Sequence, residues 1–260
     1  MLLDGKVALI SGLGSNLGRA VALAMAEQGA DLVLAARRES RLQRVADEVA
    51  ELGRQVRWVR CDVTEAEDCA ALAAAIDDAH GRLDICVNNA FTEGDWTSFA
   101  DADLDGGWRP PFEVNFWGTL RVTQAVLPLL ERAGDSRVVM VNTMSTQRIQ
   151  ERFGSYAASK GALATVTKTL AVELGRRGIR VNGVHPGYIY GAAVEWYLGH
   201  LAEQRGVRAE DVYAEIADET CLKYLPPAEE VAGAVVFFAS PLARCITGQS
   251  LGANAGHWLT

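Results

Sequence analysis

The chain is poor in the features that mark several classes of protein. Its five cysteines, Cys61, Cys69, Cys86, Cys221 and Cys245, are odd in number and never form a CxxC pair. That argues against a disulfide framework or a zinc site and for small apolar side chains of the core in a reducing compartment. Basic residues are outnumbered, 25 Lys+Arg against 33 Asp+Glu for a formal charge of −8, and the longest basic runs are Arg37-Arg38 and Arg176-Arg177. Such a surface repels phosphate backbones, so nucleic acid is not an expected partner. There is no run of 18 apolar residues, so no membrane span is expected. The start, Met1-Leu2-Leu3-Asp4-Gly5-Lys6, has no basic region ahead of an apolar one and no small-residue cleavage site, which leads to an expected cytoplasmic location. His185, His200 and His257 are scattered, none at the spacing of a metal site, and no metal is expected. A Pro/Gly/Ser linker, a fixed-period repeat and a low-complexity tract are also missing, which points to one domain over residues 1–260.

What is present is apolar content, 49% of 260 residues, arranged in a rhythm. Short apolar runs at Val7 to Ser11, Asp31 to Ala35, Val56 to Cys61, Leu83 to Asn88, Arg137 to Asn142 and Arg180 to His185 read as buried strands. Between them lie helical patterns over Arg19 to Glu27, Ser40 to Leu52, Glu65 to His80, Phe112 to Arg132 and about Ser155 to Arg177. Strands joined by crossovers of a dozen or more residues imply a doubly wound parallel sheet, an α/β fold of Rossmann-like type. From Tyr188 to Tyr224 the rhythm breaks into two amphipathic segments, Ala193 to Gln204 and Ala209 to Cys221, before a helix from about Ala228 to Ala239 and a last strand near Ser250 to Asn254. An excursion placed after the carboxyl end of a parallel strand reads as a lid over a ligand site.

The first strand ends in Ser11-Gly12-Leu13-Gly14-Ser15-Asn16-Leu17-Gly18. A tight glycine turn lets backbone approach a pyrophosphate, and the following helix offers free N–H groups and the positive end of its dipole. Gly12, Ser15, Asn16, Leu17 and Gly18 are therefore candidate phosphate-site residues. At the end of the second strand, where an acid would hold the ribose hydroxyls of NAD, the sequence reads Ala35-Ala36-Arg37-Arg38. A guanidinium fork suits a 2′-phosphate, so NADP(H) is favoured over NAD(H), with NAD(H) the alternative. Further on, Gly154-Ser155-Tyr156-Ala157-Ala158-Ser159-Lys160 puts Tyr156 and Lys160 on one helix face. An ammonium beside a phenol favours phenolate, and such a tyrosine can exchange a proton with an alcohol or ketone oxygen.

Together these segments resemble the short-chain dehydrogenase/reductase family, over the whole length. The family's TGxxxGxG falls on Ser11, Gly12, Asn16 and Gly18, its NNAG on Asn88, Asn89, Ala90 and Phe91, and its YxxxK on Tyr156 and Lys160. RVNxxxPG falls on Arg180, Val181, Asn182, Pro186 and Gly187, and the closing ITGQ on Ile246 to Gln249. The resemblance implies an NAD(P)-dependent oxidoreductase in which Tyr156 is the general acid of ketone reduction. It makes Lys160 the group that lowers the phenol pKa and holds the nicotinamide ribose, and Asn115 the anchor of a water in the proton relay. Asp62 would meet the adenine amino group, with Val63 beside it. Asn88, Asn89 and Ala90 would line the cofactor cleft, and Pro186, Gly187 and Ile189 would complete it. Asn182 would brace the sheet. A homotetramer or homodimer is implied as well, through the helices Phe112 to Arg132 and Ser155 to Arg177 and the last strand.

The departures from the pattern are informative. The substrate-orienting serine is expected thirteen residues before the tyrosine, where Thr143 stands, with Ser145 two residues on; Thr143 is preferred and Ser145 held in reserve. Asn16 replaces a turn glycine, tolerable even if the backbone is left-handed there. Phe91 replaces the glycine of NNAG, and Gly191 stands where a threonine would reach the nicotinamide carboxamide. Phe91, Trp96, Phe99, Trp108, Tyr188, Tyr190, Trp196 and Tyr197 crowd the variable segments. An apolar, cyclic ketone or secondary alcohol is the implied substrate, with Phe91, Trp96, Tyr188 and Trp196 as its lining. Arg148 and Arg152 offer an alternative site for an acidic group. Two other functions stay open: an acyl-carrier-linked 3-oxoacyl reductase, hinted at by Arg176-Arg177, and a non-catalytic cofactor-binding scaffold or sensor, motivated by Asn16, Thr143 and Gly191.

Overall fold

A computed structural model of the protein describes residues 1–14 and 16–259; Ser15, assigned above to the phosphate turn, lies outside the described residues, as does Thr260. The apolar runs form the parallel strands Val7–Ser11 (β1), Asp31–Ala36 (β2), Val56–Arg60 (β3), Ile85–Asn88 (β4), Ser136–Val141 (β5), Ile179–Pro186 (β6) and Ser250–Ala253 (β7). Among the described residues they make one seven-stranded sheet in the order β3-β2-β1-β4-β5-β6-β7. Every position of β1, β4, β5 and β6 is buried, which is why these segments read as continuous apolar runs without alternation. The edge strands differ. β3 carries Arg57 and Arg60 at exposed positions, charges that discourage further strand pairing.

Helices cover both faces. Leu17–Glu27 (α1), Glu39–Glu51 (α2) and Ala228–Ala239 (α9) bury Val21, Met25, Leu42, Val45, Val231 and Val235 against one face. Ala66–His80 (α3), Thr119–Ala133 (α5) and Gly154–Gly175 (α6) bury Leu72, Ile76, Val122, Val126, Leu129 and Leu163 against the other. Each such side chain removed from water contributes on the order of 2 kcal/mol. The excursion consists of Ala192–Arg205 (α7) and Ala209–Asp218 (α8), which close a small core of their own from Leu198, Ala202, Val212 and Leu225. Among the described residues no helix is long and apolar enough to cross a membrane.

Two expectations change. Cys61, Cys69 and Cys86 are core residues, but Cys221 and Cys245 are exposed, because the former ends the surface excursion and the latter lies in the loop before β7. The helix read from Phe112 is composite. π-Helical turns at Leu104–Trp108 and Phe112–Gly118 flank a single α turn at Arg109–Pro111 (α4), and regular α5 begins only at Thr119. The wide turn has visible causes at its centre and its end: Asn115 is drawn aside by hydrogen bonds to the neighbouring loop, and Gly118 lies so close to Val63 that a Cβ would fall 2.6 Å from its Cγ2.

Candidate active site

The order of the sheet reverses between β1 and β4, and at such a point the loops leaving neighbouring strands diverge and open a cleft beyond their carboxyl ends. The β1–α1 turn closes tightly onto the end of β4. Gly12 donates its N–H to Ala35 O at 2.8 Å, has a φ of +88°, and lies so near Ala90 that a Cβ would overlap its backbone N and Cα. Asn89 is tied on both sides, its N–H to Ser11 O at 2.8 Å and its side-chain amide to Gly12 O. A Cβ on Gly18 would sit 2.8 Å from Gly12 O. The first turn of α1 carries no acidic residue, so its N–H groups and the bare glycine backbone form a cradle suited to a pyrophosphate.

Asn16 caps α1 with φ −113°, so its backbone is not left-handed and does not ask for glycine on that ground. Its side chain donates to Ile189 O at 3.5 Å. Gly191 has φ +152°, and a Cβ placed on it would meet Asn16 Nδ2 at 3.3 Å. The two departures from the family pattern thus answer each other: the Asn16 side chain fills the space that a residue at 191 would need. On the adenosine side, Asp62 is partly shielded, and burial works to raise its pKa. Hydrogen bonds from Thr64 N at 3.0 Å and Thr64 Oγ1 at 2.8 Å, with Arg37 and Arg60 nearby, outweigh that and hold it below the ordinary value. Arg37 reaches Asp62 at 3.9 Å and is otherwise exposed, and exposed Arg38 precedes α2. Asn88 turns away from the cleft, its amide on Thr123 Oγ1 at 2.9 Å.

Tyr156, Lys160, Asn115, Thr143 and Ser145 are all buried beyond the ends of β4 and β5. Asn115 accepts from Thr92 N–H at 2.8 Å and donates to Thr92 O at 2.9 Å and Ser159 Oγ at 2.9 Å. Thr143 Oγ1 donates to Ser145 Oγ at 3.2 Å and accepts from Ser145 N–H at 3.2 Å. Burial pushes the Tyr156 phenol well above its ordinary value; the Thr143 hydroxyl pulls it back and Glu93 pushes it further up. The phenol is therefore protonated at neutral pH. Lys160 Nζ donates to Val141 O at 2.8 Å, and burial lowers its pKa to about 7. This differs from the expected pairing of ammonium with phenol: Lys160 is tuned by desolvation, and its remaining N–H bonds are free to meet a ribose.

The Lys160 shift sets a stability slope. Its folded pKa of about 7 lies below the ordinary 10.5, so between those values the unfolded chain holds a proton that the folded chain does not, and stability rises with pH. Urea melts of the protein and of Lys160→Met should differ most below pH 7, with the gap shrinking toward pH 10 by at most about 1.4 kcal/mol per pH unit. A gap independent of pH would contradict a depressed lysine.

A family model described as Enoyl-(Acyl carrier protein) reductase matches residues 12–257. The 7alpha-hydroxysteroid dehydrogenase of Escherichia coli (strain K12) is 30% identical over 254 residues, 98% of this chain and 94% of that protein. The chain is a short-chain dehydrogenase/reductase. The structure of a 7α-hydroxysteroid dehydrogenase complexed with NADH and 7-oxo glycochenodeoxycholic acid superposes with a TM-score of 0.87 at 30% identity over 98% of this chain and 94% of that one. L-sorbose reductase from Gluconobacter frateurii, complexed with NADPH and L-sorbose, does so with a TM-score of 0.93 at 28% identity over 100% of both chains. This dehydrogenase/reductase is accordingly an NAD(P)-dependent enzyme that transfers hydride between a nicotinamide cofactor and a carbonyl or alcohol carbon.

In this short-chain dehydrogenase/reductase the aromatic residues divide. Phe91 meets Tyr156 edge-on with centroids 6.4 Å apart, and Phe153 does so at 4.9 Å. Trp96 packs on Phe153 at 5.1 Å and Tyr197 at 5.6 Å, and Tyr188 stacks on Tyr197 at 6.1 Å. Trp196 does not join them: it is 69% exposed and stacks on His200, its i+4 neighbour, because consecutive residues of α7 face different ways. Its neighbour Tyr197 packs in that cluster instead. Tyr190 turns to Tyr213, and Phe99 pairs with Trp108. Arg148 is no anion site, being paired with Glu219, which also holds His257 at 3.0 Å. Arg152 is exposed. Arg176-Arg177 follows the far end of α6, about 30 Å along the helix from Tyr156, and Arg177 pairs with Glu131 at 2.7 Å, which weakens the acyl-carrier hint.

Sequence reading passed over two groups. His185 lies behind Thr143, its Nδ1 at 3.4 Å from Thr146 Oγ1, which itself donates to Thr143 O at 3.0 Å. Burial lowers the His185 pKa to about 4, so the ring is neutral and steadies the Thr143 turn. Glu93 is the other; its spacing carries no motif, and only the folded loop brings it to Tyr156.

Proposed function

We propose that the protein is an NADPH-dependent carbonyl reductase for an apolar, cyclic ketone, reversible as an alcohol dehydrogenase, with Tyr156 as its proton donor. The observation that carries the reading is the buried, protonated Tyr156 phenol beside the Thr143 hydroxyl, walled by Phe91, Phe153 and Trp96. When bound, the nicotinamide supplies the hydride. The chain's own residues do the rest. Tyr156 donates a hydrogen bond to the substrate oxygen, joined by the Thr143 hydroxyl once its proton turns from Ser145 Oγ, while Ser145 N–H keeps the threonine oxygen in place. The phenol passes its proton to the substrate oxygen as negative charge develops there. Lys160 holds the ribose, and Asn115 keeps the Thr92 loop and the start of α6 in register through Thr92 and Ser159. Gly12, Asn16, Leu17, Gly18, Asn89 and Ala90 would bind the pyrophosphate side, Asp62 and Val63 the adenine, and Pro186, Gly187 and Ile189 the nicotinamide side. Phe91, Trp96, Tyr188 and Tyr197 would line the substrate.

The preference for NADP(H) is supported by the exposed Arg37 and Arg38 at the end of β2, where no acid follows the strand before them. Residues 1–260 are read as one domain. A homodimer or homotetramer through α5, α6 and β7 is supported by the half-exposed edge strand β7 and by Val172, an apolar residue of α6 left at the surface.

A panel of cyclic and linear ketones and alcohols assayed with NADPH/NADP and NADH/NAD in parallel tests the whole reading. The protein should oxidise NADPH faster than NADH on an apolar ring ketone. In Arg37→Ala/Arg38→Ala the KM for NADPH should rise about 10- to 100-fold, the loss of charge-assisted bonds to a phosphate, with the KM for NADH little changed. An equal rise for both cofactors would remove the 2′-phosphate role.

A further inference from the structure

The loop after β4 fixes a carboxylate at the catalytic mouth. Thr92 is held by two hydrogen bonds to Asn115. Gly94 has φ +72°, and a Cβ there would lie 2.5 Å from Pro111 Cγ, 3.0 Å from Gly107 O and 3.1 Å from Ser155 Oγ. Glu93 sits between these two pinned residues, and Ser155 immediately precedes Tyr156. The loop's ends also touch the site, Phe91 edge-on to Tyr156 and Trp96 through Phe153. Glu93 thus cannot swing off with a mobile loop. Its side chain reaches water, yet the surrounding protein raises its carboxyl pKa by burial, partly offset by Trp96, and its charge is felt at the phenol.

No cation answers it. Among the described residues, no Lys, Arg or His lies within ion-pair distance of Glu93. Arg148, on the adjacent loop, is taken by Glu219, and Lys160 by Val141 O. A carboxylate at the rim of an aromatic cleft, met by one indole N–H but by no basic partner, keeps acceptor capacity for a further donor, and it repels anions.

We propose that Glu93 is a specificity-determining residue, selecting substrates that carry a hydrogen-bond donor, a hydroxyl or an ammonium, on the ring or chain that bears the carbonyl, and rejecting carboxylates. This rests on the reading of the Tyr156 cleft as the carbonyl site. It refines the apolar ketone to an apolar frame with one donor group.

The test compares kcat/KM for 4-hydroxycyclohexanone, 4-piperidone and 4-oxocyclohexanecarboxylate, each taken as a ratio to cyclohexanone so that any general loss cancels. In the wild-type protein the hydroxy ketone, the ammonium ketone or both should exceed the carboxylate by about tenfold or more, the range of a hydrogen bond to a charged group. Glu93→Gln should lower the ammonium ratio and raise the carboxylate ratio, each about tenfold, while keeping most of the hydroxyl ratio because an amide oxygen still accepts. Glu93→Ala should lose the hydroxyl ratio as well. Wild-type ratios that favour the carboxylate, or ratios unmoved by both substitutions, overturn the proposal and leave the carbonyl-reductase reading standing. Failure of the wild-type protein to reduce any of the four ketones with either cofactor removes that reading and this one with it.

Discussion

Tyr156→Phe is expected to lower kcat/KM for ketone reduction by about 10²- to 10⁴-fold, the range assigned to a positioned general acid, while cofactor binding and folding survive. The substitution removes one oxygen. The ring stays in its slot between Phe153 and Phe91, so packing is conserved, and losing the phenol's interaction with the Thr143 hydroxyl costs at most about 1 kcal/mol. What disappears is the proton. Hydride arriving at the carbonyl carbon leaves an alkoxide beside a buried phenol that already feels the negative charge of Glu93. Without the phenol, only the Thr143 hydroxyl faces that charge, and a threonine is far too weak an acid to neutralise it. Because burial holds the Tyr156 pKa above its ordinary value, the proton is in place through the neutral range, and the reductive rate should not require acid. NADPH consumption with a ring ketone, alongside fluorescence titration of NADPH and a thermal melt, separates the cases. A Phe variant within tenfold of wild type would refute the role of Tyr156, and a variant that neither binds cofactor nor melts cooperatively would assign the residue to folding.

The parallel sheet was readable from sequence because burial on both faces writes an unbroken apolar run: β1, β2 and α9 fall within a residue of where the pattern puts them. Asn115, Thr143, Tyr156 and Lys160 were marked by the family resemblance, and the fold buries all four. Contacts that depend on side-chain direction or on distant loops were not. Nothing in the order of residues says that Asn16 reaches across to Ile189 and Gly191, that Arg148 is already spent on Glu219, or that Trp196 faces outward while Tyr197 faces in. The π-helical turn at Phe112–Gly118 was read as ordinary helix because hydrophobic periodicity cannot separate a widened turn from a regular one. Its determinants lie in the loops after two other strands, at Thr92 after β4 and Val63 after β3. Lys160 illustrates the same limit in electrostatics: spacing places it beside Tyr156, but its state is set by how deeply the fold buries it.

The cradle at the first turn allows a second large effect to be derived from backbone geometry alone. Gly12→Ala adds one methyl group, and it has nowhere to go. The residue's φ of +88° disfavours any side chain by about 1–2 kcal/mol, and the new Cβ overlaps the backbone of Ala90. Relief would require one of the two segments to move. Gly12 is held by its bond to Ala35 O, Asn89 by its bond to Ser11 O, and β1 and β4 are paired through Ser11 and Asn88. The clash is therefore backbone against backbone at the centre of the sheet, where no rotamer change helps. A destabilisation of about 3–5 kcal/mol follows from overpacking and strain together, a fall of roughly 10 °C in Tm for a domain of this size. NADPH affinity should drop by at least about 100-fold, since the same displacement opens the turn that approaches the pyrophosphate. Gly14→Ala supplies the contrast. Gly14 has ordinary φ and nothing within 4 Å of a built Cβ, so its Tm should stay within about 1 °C of wild type. Thermal melts with and without saturating NADPH read both effects. Equal melting temperatures for the two alanine variants would mean that the β1–α1 turn does not need the close approach to Ala90 on which the cofactor cradle depends.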